Sequence, residues 1–292
     1  MVAAMALALT TLDVLGDAIA RSRSVTASAY RLPPAMEASL AAAAVRGAAV
    51  DVLLASRAAG TYDERLGCEN AAAAERLRAA GARVRLAPGV HLKAAVVDDA
   101  GFLDDRNFAA RGASIVVRDD DAADVARLRE AIAAPAGAAP AAPPGAALAL
   151  TKTAALAGET AAIRDAARGP VAVATESFDF GEIEAALRRR LEGGDAVRLL
   201  VDGREAAGRR EALALRAMRR LGAEVRVARS VDKVALTGDA AWCGSANATY
   251  AGPDVTPQSD WGVVVRDVAI REALRDRFDA AWAAATPQPA SG

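Results

Sequence analysis

His91 stands two residues before Lys93 in the run His-Leu-Lys-Ala-Ala-Val-Val-Asp, and Lys93 precedes Asn107 by 14 positions. Lys233 precedes Asn247 by the same 14, with Val231 where a second histidine would stand. The coincidence draws on scarce types. The chain holds three lysines (Lys93, Lys152, Lys233) against 33 arginines, three asparagines (Asn70, Asn107, Asn247) and one histidine. Two ammonium groups and two amides suit an anion with several oxygens, phosphate above all, and lysine offers a compact charge where arginine offers a flat fork. An imidazole beside them can attack phosphorus or carry protons near neutral pH, and an acid such as Asp98 could orient the ring.

These residues recur because the chain is duplicated. Gly81-Ala82-Arg83-Val84-Arg85 precedes the first motif as Gly222-Ala223-Glu224-Val225-Arg226 precedes the second. Ile115-Val116-Val117-Arg118-Asp119 follows the first as Val263-Val264-Val265-Arg266-Asp267 follows the second. A repeat of this length is a whole domain and excludes a short-period solenoid. The expected division is a first half over 1–133, an Ala/Pro-rich linker over 134–150, a second half over 151–285 and a frayed tail over 286–292. Four prolines, Pro135, Pro140, Pro143 and Pro144, disfavour helix in the linker.

Short β-rich runs alternate with Ala/Leu/Arg-rich ones, so each half is expected to be an α/β/α sandwich, a mixed sheet flanked by helices. Strands are expected near 25–29, 50–55, 83–87, 93–97, 101–103 and 114–118, with helices near 34–46, 69–80 and 121–133. In the second half they are expected near 170–175, 197–201, 224–228, 233–237, 240–243 and 262–266, with helices near 181–192, 207–221 and 268–284. Both lysines then start a strand, and both asparagines lie in the loop after the next one. A duplicated domain packs about a pseudo-twofold axis, which predicts one cleft shared by equivalent loops. The apolar stretch from Val2 to Thr11 is expected to be a docked helix.

A net charge of -1 and a pI near 6.0 provide no global basic field, which argues against sequence-blind binding to nucleic acid. Cys68 and Cys243 have no metal or redox spacing and are expected to be reduced, buried thiols of a cytoplasmic protein. Neither a secretion signal nor a membrane span is expected. Trp261 and Phe178 are read as core, and Arg118 to Asp121 as a solvated strand exit.

The motif residues resemble the phospholipase D superfamily, whose hallmark is a duplicated His-x-Lys-(x4)-Asp followed by Gly-Ser-x-Asn. His91, Lys93 and Asp98 match the first element, and Gly244-Ser245-Ala246-Asn247 matches the second element in the other half. Glu176-Ser177-Phe178 and Asp260-Trp261-Gly262 extend the likeness. The resemblance implies a phospholipase D-like phosphodiesterase or phosphatidyltransferase. It would work without metal or cofactor through a phosphohistidine on His91, with Lys93, Asp98 and Lys233 catalytic. Asn107, Ser245 and Asn247, with both lysines, would hold the phosphoryl oxygens.

The departures matter as much. Val231 replaces the second histidine, Gly238 the second aspartate, and Asp104-Asp105 the first Gly-Ser. Loss of the general acid removes about 100- to 10,000-fold of rate unless another acid serves. Asp105, Asp232 and Glu176 are the candidates by position. The favoured substrate is a phospholipid, met by peripheral membrane contact, in a protein expected to be a monomer. Alternatives are a pseudoenzyme that binds phosphodiesters or head groups without turnover, a nuclease of the same family, and a homodimer supplying a second His91.

Overall fold

A computed structural model describes residues 7–57, 64–109, 114–134, 147–204, 206, 208–229, 231–250 and 257–288. By contacts the chain divides into Met1–Lys152 with Thr256–Trp261, and Thr153–Val255 with Gly262–Gly292. The six residues Thr256–Trp261 thus belong physically to the first unit, although the repeat assigns them to the second half. Most of the Ala/Pro linker lies outside the described residues.

The first unit runs β1 (Leu7–Thr10), α1 (Leu12–Arg21), β2 (Ser24–Ala29), α2 (Pro34–Val45), β3 (Ala49–Ala55), α3 (Glu64–Ala79), β4 (Arg83–Ala87), β5 (Ala94–Val97), β6 (Ala100–Asp104), β7 (Val116–Asp119) and α4 (Ala122–Ala133). Then come β8 (Leu148–Ala149), α5 (Lys152–Arg164), β9 (Val171–Thr175), α6 (Glu182–Glu192), β10 (Val197–Asp202) and α7 (Arg209–Arg220). The chain closes with β11 (Glu224–Ala228), β12 (Val234–Leu236), β13 (Ala241–Gly244), β14 (Gly262–Val265), α8 (Val268–Ala284) and β15 (Thr286–Pro287). Every strand and helix expected from residue 25 onward is found, with bounds within about five residues.

The first sheet has the order β1-β7-β6-β5-β2-β3-β4. β2, β3 and β4 are parallel, and β5 turns back antiparallel to β2. The second unit repeats this arrangement as β14-β13-β12-β9-β10-β11, with β15 added beyond β11. α1, α2 and α3 pack on one another and on one face of the first sheet, while α4 lies against β2, β5 and β6. The core beneath α1 to α3 is built from alternate strand residues, Val25, Ala27, Val50, Val52 and Leu54, with Ile19, Leu40 and Leu77 from the helices. This alternation is the two-residue period of a sheet buried on one side at each position.

Several expectations are corrected. Of the apolar stretch Val2 to Thr11 the described part, Leu7–Thr10, is a strand paired antiparallel with β7 rather than a helix, and the helix begins at Leu12 behind the Thr11 cap. A four-residue apolar run fits either state, and edge pairing decides it. The described part of the tail, residues 286–288, is anchored rather than frayed, since Thr286 and Pro287 pair with β11 and the Gln288 amide donates to Val225 O (3.2 Å). Cys68 is exposed on α3, and only Cys243 is buried. Asp119 is not solvated but buried in β7. Phe178 and Trp261 are core, as read. No described helix is long and apolar enough to cross a membrane.

Candidate active site

The topology brings the chemistry of the first unit to the C-terminal end of its parallel strands. β5 is antiparallel to β2 with Ala94 opposite Ser28, so Lys93, one residue earlier, lies beside the end of β2. β6 returns with Leu103 opposite Ala94, and the Asp104 amide donates to Lys93 O (3.0 Å). The Asp104 loop and Lys93 are therefore neighbours by register. The second unit repeats the contact: Val234 pairs with Ala174, and the Gly244 amide donates to Lys233 O (3.2 Å).

At the first of these places His91 Nδ1 lies 2.7 Å from Asp260 Oδ1. The carboxyl is buried, with its side chain 1 % exposed, and in its ionised form it accepts from Nδ1–H, the tautomer that leaves Nε2 its lone pair. The imidazole is 20 % exposed and meets the Tyr30 ring edge-on, centroids 5.1 Å apart. Lys93 Nζ donates to His91 O (2.8 Å), lies 3.1 and 3.2 Å from the two ring nitrogens, and is 5.9 Å from the centroid of Tyr30. An oriented imidazole with a buried lysine against it can present a nucleophilic nitrogen to an anionic phosphorus centre.

Asp98 is not part of this constellation. It stands five residues from Lys93, roughly 17 Å along an extended strand. Its Oδ1 accepts from the Arg23 and Ser24 amides (3.1 and 2.9 Å), closing the far end of β5 at a positive φ of 47°. Desolvation pushes its carboxyl up, but the Ser24 and Arg23 amides, the Ser24 hydroxyl and the Arg23 charge together bring it below the ordinary range. The expected ring partner is replaced by Asp260, 169 residues from His91. Its one signal in the sequence is its place beside Trp261, whose indole Nε1 donates to Asp104 O (2.8 Å) and fastens this segment to β6.

Asp104 and Asp105 serve the loop. Asp104 Oδ2 accepts from the Arg106 and Phe108 amides (2.8 and 2.6 Å), and Asp105 Oδ1 accepts from the Ile115 amide (3.0 Å). Asn107 takes the left-handed conformation, φ 70°, and its Oδ1 accepts from the Arg31 amide (3.3 Å). It acts here as a turn residue.

In the second unit Val231 is buried, and Lys233 Nζ pairs with Glu176 Oε2 at 3.2 Å. Asp232 Oδ2 accepts from Arg277 Nε and Nη2 on α8 (3.1 and 2.9 Å). Ser245 is fully buried, and Asn247 Oδ1 is buried without a hydrogen-bond donor among the described residues. All three acids expected to substitute for the missing histidine are thus engaged elsewhere. Among the described residues no group of His, Cys, Asp and Glu could hold a metal ion. A cavity of about 530 Å³ on the first sheet, lined by Thr26, Asp51, Arg83, Arg85 and Arg129, contains none of these site residues. Its arginines are occupied by Asp51, by the last carbonyls of α4 and by Asp98 O.

Lys152 was not expected at the site. Its amide donates to Gln258 O (3.1 Å), two residues before Asp260. Burial lowers the pKa of its ammonium, and the Asp260 charge raises it in part.

No protein-family model matches the sequence, and no curated protein matches it in a sequence search. Solved structures do match the fold. A phosphatidylserine synthase from Haemophilus influenzae Rd KW20 superposes with a TM-score of 0.68 at 11 % identity, over 94 % of this chain and 86 % of its own. A polyphosphate kinase from Porphyromonas gingivalis gives 0.62 at 17 % identity over 94 % of this chain, which spans 50 % of the kinase. Nuc, a phospholipase D family member from Salmonella typhimurium, matches 45 % of this chain with 89 % of its own at 20 % identity and a TM-score of 0.41. Two mixed sheets flanked by helices, matched over nearly the whole chain, give this protein the fold seen in that phosphatidylserine synthase.

Proposed function

We propose that this protein transfers a phosphoryl group from a phosphodiester, with a phospholipid as the favoured substrate, through a covalent intermediate on His91 Nε2. The observation that carries the reading is the His91–Asp260 contact at 2.7 Å with Lys93 Nζ against the ring. A buried carboxylate on Nδ1 fixes the tautomer, steadies the imidazolium that forms on attack, and leaves Nε2 as the reacting atom. Lys93 offsets charge on the phosphoryl oxygens. The similar structures include a phosphatidylserine synthase and a polyphosphate kinase, which supports phosphoryl transfer as the common chemistry. The lean to phospholipid also rests on the near-neutral charge, which provides no broad field for a nucleic acid.

A second reading has its own support. Val231 is buried, and Glu176 pairs with Lys233, so the second unit offers less proton chemistry and less free charge than the first. A protein that binds phosphodiesters without cleaving them would tolerate both changes.

The deciding experiment supplies a fluorescent phosphatidyl lipid and a nitrophenyl phosphodiester to the parent and to His91→Ala. The expected result is turnover with an acid-labile phosphohistidine in the parent and neither in the variant. Turnover that survives unchanged in His91→Ala overturns the proposal, and saturable binding without product establishes the second reading.

A further inference from the structure

Cleaving a phosphodiester at an imidazole requires a proton for the departing alkoxide, and Val231 has none to give. Asp105, Asp232 and Glu176 are engaged by the Ile115 amide, Arg277 and Lys233. Besides Tyr30 and Lys93, which touch the ring, one more titratable group is tied to the segment that carries Asp260. Lys152 opens α5, and its backbone amide is fastened to Gln258 in the same short segment that carries Asp260 to His91. Asp260 therefore has the imidazole on one oxygen and the Lys152 ammonium within its electrostatic reach. Among the described residues no hydrogen bond or ion pair occupies that ammonium, and the side chain is half-buried.

Composition points the same way. Of 36 lysines and arginines only three are lysine, and the other two begin the duplicated motifs. A solvated or ion-paired cation in this chain is almost always arginine, whose guanidinium cannot release a proton in water. A lysine kept among so many arginines is the type that can.

We propose that Lys152 is the proton donor to the leaving group, in place of the histidine missing at Val231. This assignment rests on the reading of His91 as nucleophile. In the first step the Nε2 lone pair of His91 forms a bond to phosphorus as the phosphorus–oxygen bond to the alcohol breaks. The departing oxygen takes a proton from the Lys152 ammonium, leaving a neutral alcohol and a neutral amine. In the second step a water oxygen bonds to phosphorus, its proton passes to the Lys152 amine, and the nitrogen–phosphorus pair returns to the imidazole. Asp260 holds Nδ1–H throughout. An acid so placed matters in proportion to how poor the leaving group is.

The test compares the parent, Lys152→Met and Lys152→Arg on phosphodiesters graded from nitrophenyl to simple alkyl leaving groups. The burst of nitrophenolate, with phosphohistidine formation, is expected to stay within about 3-fold of the parent, because nitrophenolate leaves without a proton, while the same first step on alkyl esters falls about 100- to 10,000-fold. Lys152→Arg preserves the charge and is expected to fail on alkyl esters as Lys152→Met does. Equal losses across the series, or rescue of alkyl turnover by arginine, would overturn the assignment and reduce Lys152 to a charge or a packing residue. A parent that turns over not even the nitrophenyl ester overturns the His91 reading, and this assignment with it. A parent active on that ester with an unchanged alkyl rate in both variants overturns the Lys152 assignment alone.

Discussion

The two units share a scaffold and differ in what they carry on it. At equivalent places after the parallel strands, the first has Tyr30 beside Lys93 and an imidazole braced by Asp260, whereas the second has Glu176 paired with Lys233 and a buried valine. Their motif loops also diverge. Asp104 gathers two loop amides onto its carboxylate, where the second loop has Gly244 and a buried Ser245. Strand pairing and the core survive these exchanges because they depend on alternate apolar residues and on register. Chemistry depends on a few side chains that can change without cost to the sheet, so one copy of a duplicated domain can lose a reacting group while its fold persists.

The largest effect expected from disturbing this asymmetry is at the brace. Asp260→Asn retains the shape but can favour the wrong imidazole tautomer, so turnover of a nitrophenyl phosphodiester is expected to drop by about 10³- to 10⁴-fold. A loss under about 10-fold, with the fold intact, would show that Asp260 is not what orients His91.

Stability separates the units next. Asp119 ends β7 buried, and desolvation first, helped by the neighbouring Asp124, Asp121 and Asp120 charges, pushes its carboxyl up to about 6 against the opposing Asp121 amide. Its counterpart Asp267 lies outside the strand and caps α8. Because the folded pKa of Asp119 is raised, the native state holds the extra proton between the ordinary value of 3.8 and about 6, and stability falls as pH rises through that window. Asp119→Asn is therefore expected to stabilise the protein at pH 7 by about 2 kcal/mol and to flatten that part of the profile, as denaturant melts at several pH values would show. A steeper acid-side dependence in the variant would contradict this.

The smallest expected effect is at Asp267, whose Oδ1 accepts from the Ile270 amide (3.0 Å). Asp267→Ala should cost about 1 kcal/mol in the same melts, the usual value of an N-cap. A change below about 0.3 kcal/mol would mean that α8 is held by its buried Leu274, Phe278 and Trp282 alone.

The repeat and the apolar alternation made the scaffold legible, including both lysines at strand starts and both asparagines in the following loops. The element pair before β2 was missed, as was its repeat, β8 and α5, before β9: short apolar runs and Ala-rich stretches carry little period. Asp98 was misread because spacing alone does not say which end of a strand a residue reaches. Asp260 and Lys152 escaped for another reason, since long-range contacts leave no mark in local pattern. Lysine scarcity was the one available clue to Lys152, and it applied equally to all three.

The six residues Thr256–Trp261 belong by contact to the unit that precedes them by a hundred positions, and Trp261 is hooked to Asp104 there. Genetic and physical boundaries therefore disagree. A gene truncated after Lys152 would encode the imidazole and its lysine but omit the carboxylate that steadies them, so the first copy is not a self-sufficient module. Any rearrangement that separates the copies must carry this short return segment along.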